Sequence, residues 1–64
     1  MNLVSILNNM SNDRDIFEFL RDRELREFSV QELDEALIML NLNPKDYNNK
    51  ADKLSAIINY YRPK

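Results

Sequence analysis

The sequence contains no glycine, no cysteine and no histidine. Without glycine, the chain lacks the residue that most easily adopts the positive backbone dihedrals of tight hairpin turns, so an all-helical fold is expected. Without cysteine, it can form neither a disulfide nor a thiolate metal site, the two usual reinforcements of a very small domain. The commonest general base, the strongest nucleophile and the usual transition-metal ligands are also missing. We therefore expect no enzyme activity, no cofactor, no metal and no small-molecule substrate.

The chain is short and nearly balanced in charge, with 64 residues, 9 basic side chains and 11 acidic ones. A domain of this length buries only about 60% of the surface that its unfolded chain exposes, so its stability should be marginal. The net charge of −2 opposes attraction of the whole molecule to nucleic acid or membranes, although it allows a local basic patch. Residues 1–10 have no Lys or Arg and too short an apolar run for a signal peptide or a membrane span. We expect one cytoplasmic domain, residues 1–64, with no membrane partner.

The clearest element is a helix predicted over residues 30–41. Ser29 and Glu32 have the spacing of a capping box, in which each side chain accepts a hydrogen bond from the backbone N–H of the other residue. Phe28 and Leu33 flank this cap at the spacing of a hydrophobic staple, which fixes the direction from which the chain enters the helix. Two independent signals therefore predict the same helix start.

The body and the end of this helix also carry clear signals. Apolar residues recur every three or four positions and predict a stripe that faces the core: Val30, Leu33, Ala36, Leu37 and Leu40. After the stripe, Asn41 can take the left-handed conformation, Leu42 can fold back onto Leu37, and Pro44 prevents the helix from continuing.

Three more helices are predicted over residues 2–10, 13–26 and 50–61, so the fold class is an all-α, single-domain bundle of four short helices. In the second helix, Leu25 lies roughly opposite Leu20 at about 100° per residue. Either this helix ends near Arg23, or Leu25 is exposed for a partner. In the last helix, the predicted core stripe consists of Ala51, Leu54, Ile57, Ile58 and Tyr61.

Several apolar side chains fall at the edges of these stripes or outside them. They are Phe19, Leu25, Ile38, Met39 and Tyr60. In so short a chain, another polypeptide is the simplest means of burying them. The sequence therefore predicts a small acidic interaction protein, a regulator or inhibitor that docks a hydrophobic helix face onto a protein partner. A homodimer is the other form of the same hypothesis.

A second hypothesis comes from a family resemblance over residues 28–61. A helix with a Ser/Thr-x-x-Glu-Leu start, a loop containing proline and a second helix with early lysines are found here in this order: Ser29, Glu32, Leu33, Leu37, Leu40, Leu42, Pro44, Lys50, Lys53 and Leu54. This segment resembles the SAP family and the related phage helix-extended-loop-helix modules. The resemblance implies a DNA-binding module in which the loop and the start of the second helix contact the phosphate backbone.

The charge distribution contains evidence both for and against DNA binding. The C-terminal third is locally basic, and its candidate nucleic-acid contacts are Lys45, Tyr47, Lys50, Lys53, Arg62 and Lys64. In contrast, Glu32, Asp34 and Glu35 crowd the start of the third helix, where their charges would repel a phosphate. The sequence therefore favours a protein partner and retains DNA as the alternative.

Overall fold

A computed structural model describes all 64 residues. The chain forms four α-helices and two short 3-10 turns, and it has no strands. The helices are α1 (Leu3–Asn9), α2 (Asp13–Arg21), α3 (Val30–Met39) and α4 (Lys50–Tyr61). The 3-10 turns are Leu25–Glu27 and Pro44–Asp46. The predicted all-α bundle of four short helices is confirmed. The longest helix has 12 residues, and none is long and apolar enough to cross a lipid bilayer.

The second helix ends at Arg21, so its predicted extension to residue 26 is wrong and the alternative of an end near Arg23 is closer to the structure. Asp22 donates its backbone N–H to the Glu18 carbonyl at 3.1 Å, and the chain then becomes extended at Glu24. The N–H of Glu24 donates to the carboxylate of Glu27 at 2.7 Å, which caps the 3-10 turn. After this break, Phe28, which follows the turn, enters the core.

The start of α3 has both features predicted from the sequence. The N–H of Glu32 donates to Ser29 Oγ at 3.2 Å, and the N–H of Ser29 donates to Glu32 Oε1 at 2.7 Å. Phe28 and Leu33 are both buried in the same apolar cluster. The capping box is therefore confirmed, and the two residues of the predicted staple belong to one core.

Because Ser29 closes the capping box, Ser29→Ala should lower the free energy of unfolding by about 0.5–2 kcal/mol. The change leaves the N–H of Glu32 without its side-chain acceptor. Urea and thermal unfolding, followed by circular dichroism, measure the effect. Ser55→Ala is the matched control, because Ser55 is exposed inside α4 and alanine is the better helix former there. Equal unfolding midpoints for Ser29→Ala and the unmodified chain would remove the capping box from the account.

The end of α3 also follows the predicted pattern. Asn41 has a φ of 63°, the left-handed conformation that glycine most often provides. The N–H of Leu42 donates to the Leu37 carbonyl at 2.8 Å, and the N–H of Asn41 donates to the Ile38 carbonyl at 2.9 Å. These two bonds form a Schellman motif, which satisfies carbonyl groups at the end of the helix. Asn41 thus provides the helix ending in a chain without glycine.

Helices α3 and α4 form the centre of the bundle, because they pack against each other, α1 packs against α3, and α2 packs against α4. Eleven buried apolar residues form one core: Leu3, Leu7, Ile16, Leu20, Phe28, Leu33, Ala36, Leu37, Leu54, Ile57 and Tyr61. Each helix contributes to this core, so the chain is a single packed unit.

Two residues of the predicted core stripes lie on the surface. Val30 is 48% exposed, and Ala51 is also exposed. Both lie in the first turn of their helix and precede the first core residue of that helix, which is Leu33 in α3 and Leu54 in α4. Helical periodicity identifies the direction in which a side chain points, but it does not show how far along the helix the neighbouring elements extend.

Candidate functional site

The five residues predicted to contact a protein partner fall into two groups. Leu25, Ile38 and Tyr60 are exposed, at 37%, 64% and 55% respectively. Phe19 and Met39 are partly buried and pack against the core. The exposed three lie in three different elements, the first 3-10 turn, α3 and α4. Among the five, Ile38 presents the largest exposed fraction to a partner.

Ile38 borders a groove of about 570 Å³ on the surface of the bundle. The groove lies between the outer side of α3 and the loop that follows it, and we call it the α3 groove. Its lining residues are Asp34, Ile38, Asn41, Leu42, Asn43, Pro44 and Lys45. Ile38 lies about 160° around the helix from the core residue Ala36, at about 100° per residue. An isoleucine therefore occupies the outward face of α3, beside a concave surface.

Local hydrogen bonds hold the loop wall of the α3 groove in place. The Schellman motif at Asn41 and Leu42 turns the chain back along the helix. Asn43 then accepts the N–H of Lys45 through its side chain at 3.0 Å and the N–H of Asp46 through its carbonyl, also at 3.0 Å. Pro44 opens this turn with its fixed backbone dihedral. The loop wall of the groove is therefore held by hydrogen bonds of the chain itself.

The charges around the α3 groove are unevenly distributed. Lys53 Nζ lies 2.6 Å from Asp34 Oδ1, and the Lys53 side chain is only 13% exposed. This ion pair ties α4 to the outer side of α3. Glu35 is exposed next to Asp34 on α3, whereas Lys45 is exposed on the loop wall. The loop side of the groove thus has an exposed ammonium group, and an exposed carboxylate lies on α3 outside the lining residues.

The residues predicted to contact nucleic acid have several different environments. Lys53 is paired with Asp34, and Arg62 donates hydrogen bonds to Asn59. Tyr47 is partly buried and packs against the core. The other three are Lys45 and Lys64, which are exposed, and Lys50, which is partly exposed. Of this set, Lys45 lines the same groove as Ile38, so one surface contains residues from both hypotheses.

Sequence reasoning missed the rest of the groove. Asn43 was not singled out, and Asp34 was considered only as a charge that repels phosphate. Asn43 could have been found from the Asn-Pro dipeptide, because asparagine before proline favours a turn with this hydrogen-bonding pattern. The pairing of Asp34 with Lys53 has no local signal, because it depends on the packing of α3 against α4.

Tyr61, a residue of the core, holds its phenol proton more tightly than a free tyrosine does. Burial raises the pKa of the Tyr61 phenol above its ordinary value of 10.0, and the nearby Tyr60 and Asp13 raise that pKa further. The ring centroids of Tyr60 and Tyr61 are 5.1 Å apart in an edge-to-face arrangement. Tyr61 is therefore a neutral core residue at physiological pH.

Metal-binding side chains do not converge in groups of three or more anywhere in the structure. Compared with known protein families, curated proteins and solved structures, the chain matches none of them.

Proposed function

We propose that this chain is a small acidic helical interaction module that binds a protein partner through the α3 groove and acts as a regulator or inhibitor. The observation that carries the proposal is the 64% exposure of Ile38 beside the α3 groove. Fully burying an isoleucine side chain is worth about 1.5–3 kcal/mol. Leu42 and Pro44 extend the apolar surface next to Ile38. A partner side chain seated here would cover apolar area that the bundle itself leaves exposed.

The charges around the groove define the chemistry of the partner. Glu35 precedes Ile38 by about one helical turn and is exposed, whereas Asp34 is already paired with Lys53. The chain as a whole carries a net charge of −2. The partner segment should therefore present an apolar anchor for the groove, with an Asp or Glu on one side that reaches Lys45 and a Lys or Arg on the other side that reaches Glu35. Charge complementarity of this kind orients a complex and speeds its association.

The proposal can be tested by photo-crosslinking from the groove. A benzoyl-phenylalanine placed at the exposed Lys45 reports proteins that contact the groove wall, and the same group at the exposed Glu18 of α2 is the matched control. We expect a crosslinked partner from position 45 only. We also expect excess unmodified chain, but not excess Ile38→Asp chain, to suppress the crosslink.

The two competitor chains show whether the crosslinked partner docks at Ile38. Equal suppression by the unmodified chain and by Ile38→Asp would contradict docking at Ile38. A crosslink between two copies of the chain would identify the partner as a second copy. The module would then act as a homodimer.

The second candidate is DNA binding of the kind that the SAP resemblance implies. Two observations favour it: Lys45 is exposed in the loop between α3 and α4, and Lys50 is the first residue of α4. Lys53 is unsuitable for a charge-reversal test, because a carboxylate at that position would face Asp34 and disturb the fold. Salt-sensitive binding to duplex DNA that is lost in Lys45→Glu/Lys50→Glu but kept in Ile38→Asp would favour this candidate.

A further inference from the structure

The outer face of α3 has an apolar residue between two opposite charges. Asp34 and Asn41 both line the α3 groove, and they lie about 40° and 60° to one side of Ile38 around an ideal helix. Glu35 lies about 60° to the other side of Ile38, and its side chain is exposed. Lys45 is exposed on the loop wall of the groove. Ile38 therefore separates a carboxylate from an ammonium group.

Both of these charges are free to bind another molecule. Glu35 and Lys45 belong to none of the ion pairs of the chain. Asp34, which lies on the groove side of α3, is already paired with Lys53 at 2.6 Å. Asp46 follows Lys45 in the sequence, but it is not among the residues that line the groove. The two sides of this face therefore keep one negative and one positive charge without a counter-ion.

A surface with this order of charges is complementary to a copy of itself. In a two-fold symmetric dimer, a residue at the axis meets its own counterpart, and residues on opposite sides of the axis meet each other. An axis beside Ile38 places Glu35 of each copy opposite Lys45 of the other copy, so two ion pairs form together. The two Ile38 side chains then cover one another. One arrangement thus buries the apolar residue and pairs both charges.

We propose that the α3 groove of the free chain binds a second copy of this chain. The proposal rests on docking at Ile38, as in the proposed function. A second copy meets the requirements of the partner segment, because it presents an apolar anchor with an acidic residue on one side and a basic residue on the other. A partner must then compete with the second copy, so self-association limits the number of grooves that are open to that partner.

The size and the net charge of the chain both permit this dimer. A standard interface covers about 800 Å² per copy, which is roughly a fifth of the 4403 Å² surface of the chain, so one face is sufficient. Each copy has a net charge of −2 and dimensions of 27 × 23 × 17 Å. Charges separated by more than about 8 Å are largely screened at physiological salt, so the repulsion between two whole copies is small. The local pairs of Glu35 with Lys45 therefore set the orientation of the two copies.

The test is sedimentation equilibrium of the intact chain up to millimolar concentration, with charge-reversed variants. We expect a monomer–dimer equilibrium for the unmodified chain. Glu35→Lys and Lys45→Glu should each raise the dimer dissociation constant by about tenfold or more, because each change places like charges opposite one another twice. An equimolar mixture of the two variants should dimerise as tightly as the unmodified chain, because each basic side chain of one variant then faces an acidic side chain of the other.

Two controls separate the paired contacts from a general effect of charge. Glu18→Lys makes the same change of charge at an exposed position of α2 and should leave the dissociation constant unchanged. Glu35→Lys cancels the net charge of −2, so overall attraction between the two variants cannot produce the recovery in the mixture.

Three results would overturn the proposal. They are a monomer at every concentration, a dimer that neither charge reversal weakens, and a mixture that associates as weakly as the separate variants. None of them bears on the binding of a partner, which is tested by the effect of Ile38→Asp on the affinity of that partner. Self-association and partner docking at the α3 groove can therefore fail separately.

Discussion

Leu37→Ala should lower the free energy of unfolding by about 2–5 kcal/mol, enough to unfold much of so small a domain. Leu37 is completely buried in the middle of α3, where the apolar contacts of the bundle meet. Truncation removes those contacts and leaves a cavity that the surrounding helices can only partly fill. The Leu37 carbonyl also accepts the N–H of Leu42 at 2.8 Å. Movement of the helix into the cavity would therefore strain the end of α3.

Urea unfolding followed by circular dichroism measures this effect, and the chain provides a matched control in the next residue. Ile38→Ala also truncates an aliphatic side chain of α3, but at a position that is mostly exposed. We expect the control to change stability by about 0.5 kcal/mol or less. Near-native stability of Leu37→Ala, or equal losses in the two variants, would mean that α3 turns a different face to the core.

The elements that sequence reasoning located correctly are those whose signals are local. The capping box of Ser29 and Glu32 and the left-handed ending at Asn41 each involve residues within a few positions of one another. Their hydrogen bonds form once the local backbone conformation is set, so the spacing of residue types is sufficient to predict them. The start of α3 and the form of its ending could therefore be predicted directly.

The wrong predictions concern features that tertiary packing determines. The charged segment from Arg21 to Glu27 favours a continued helix by its local pattern. In the structure, the chain instead breaks after Arg21 and the buried Phe28 enters the core. Val30 has the periodicity of a core residue, but its position in the first turn of α3 leaves it exposed. The position of Leu25 opposite Leu20 indicated an end near Arg23 as one alternative. The exposure of Val30 cannot be derived from one helix considered alone.

One part of the candidate site could be predicted from local signals, and the other part depends on tertiary packing. The exposure of Ile38 could be predicted, because its position falls outside the apolar stripe of α3. The groove beside it depends on the path of the loop from Asn41 to Lys45, and the pairing of Asp34 with Lys53 depends on helix packing. These features become visible only when the chain is folded, so the sequence identified one residue of the surface but not its shape.

Ile38→Asp should weaken binding of the protein partner by about 2 kcal/mol or more, which is roughly a thirty-fold loss of affinity. The substitution removes the most exposed apolar side chain of the groove and places a charge where the partner would exclude water. The fold should be retained, because Ile38 contributes little to the core.

Val30→Asp is the matched control for this prediction. Val30 is also an exposed β-branched residue of α3, but it is not among the residues that line the groove. An aspartate in the first turn of a helix is favourable for the helix dipole, so this variant should also fold. Both variants introduce the same charge into the same helix, and they differ in whether the position borders the groove.

The most direct test of docking at the α3 groove is calorimetric titration of the crosslinked partner, once purified, into three proteins: the unmodified chain, Ile38→Asp and Val30→Asp. We expect the unmodified chain and Val30→Asp to bind with equal affinity, and Ile38→Asp to bind roughly thirty-fold more weakly while keeping its native circular dichroism spectrum. Equal affinity of all three proteins, or equal losses in the two aspartate variants, would show that the partner binds elsewhere on the bundle and would contradict the proposed function.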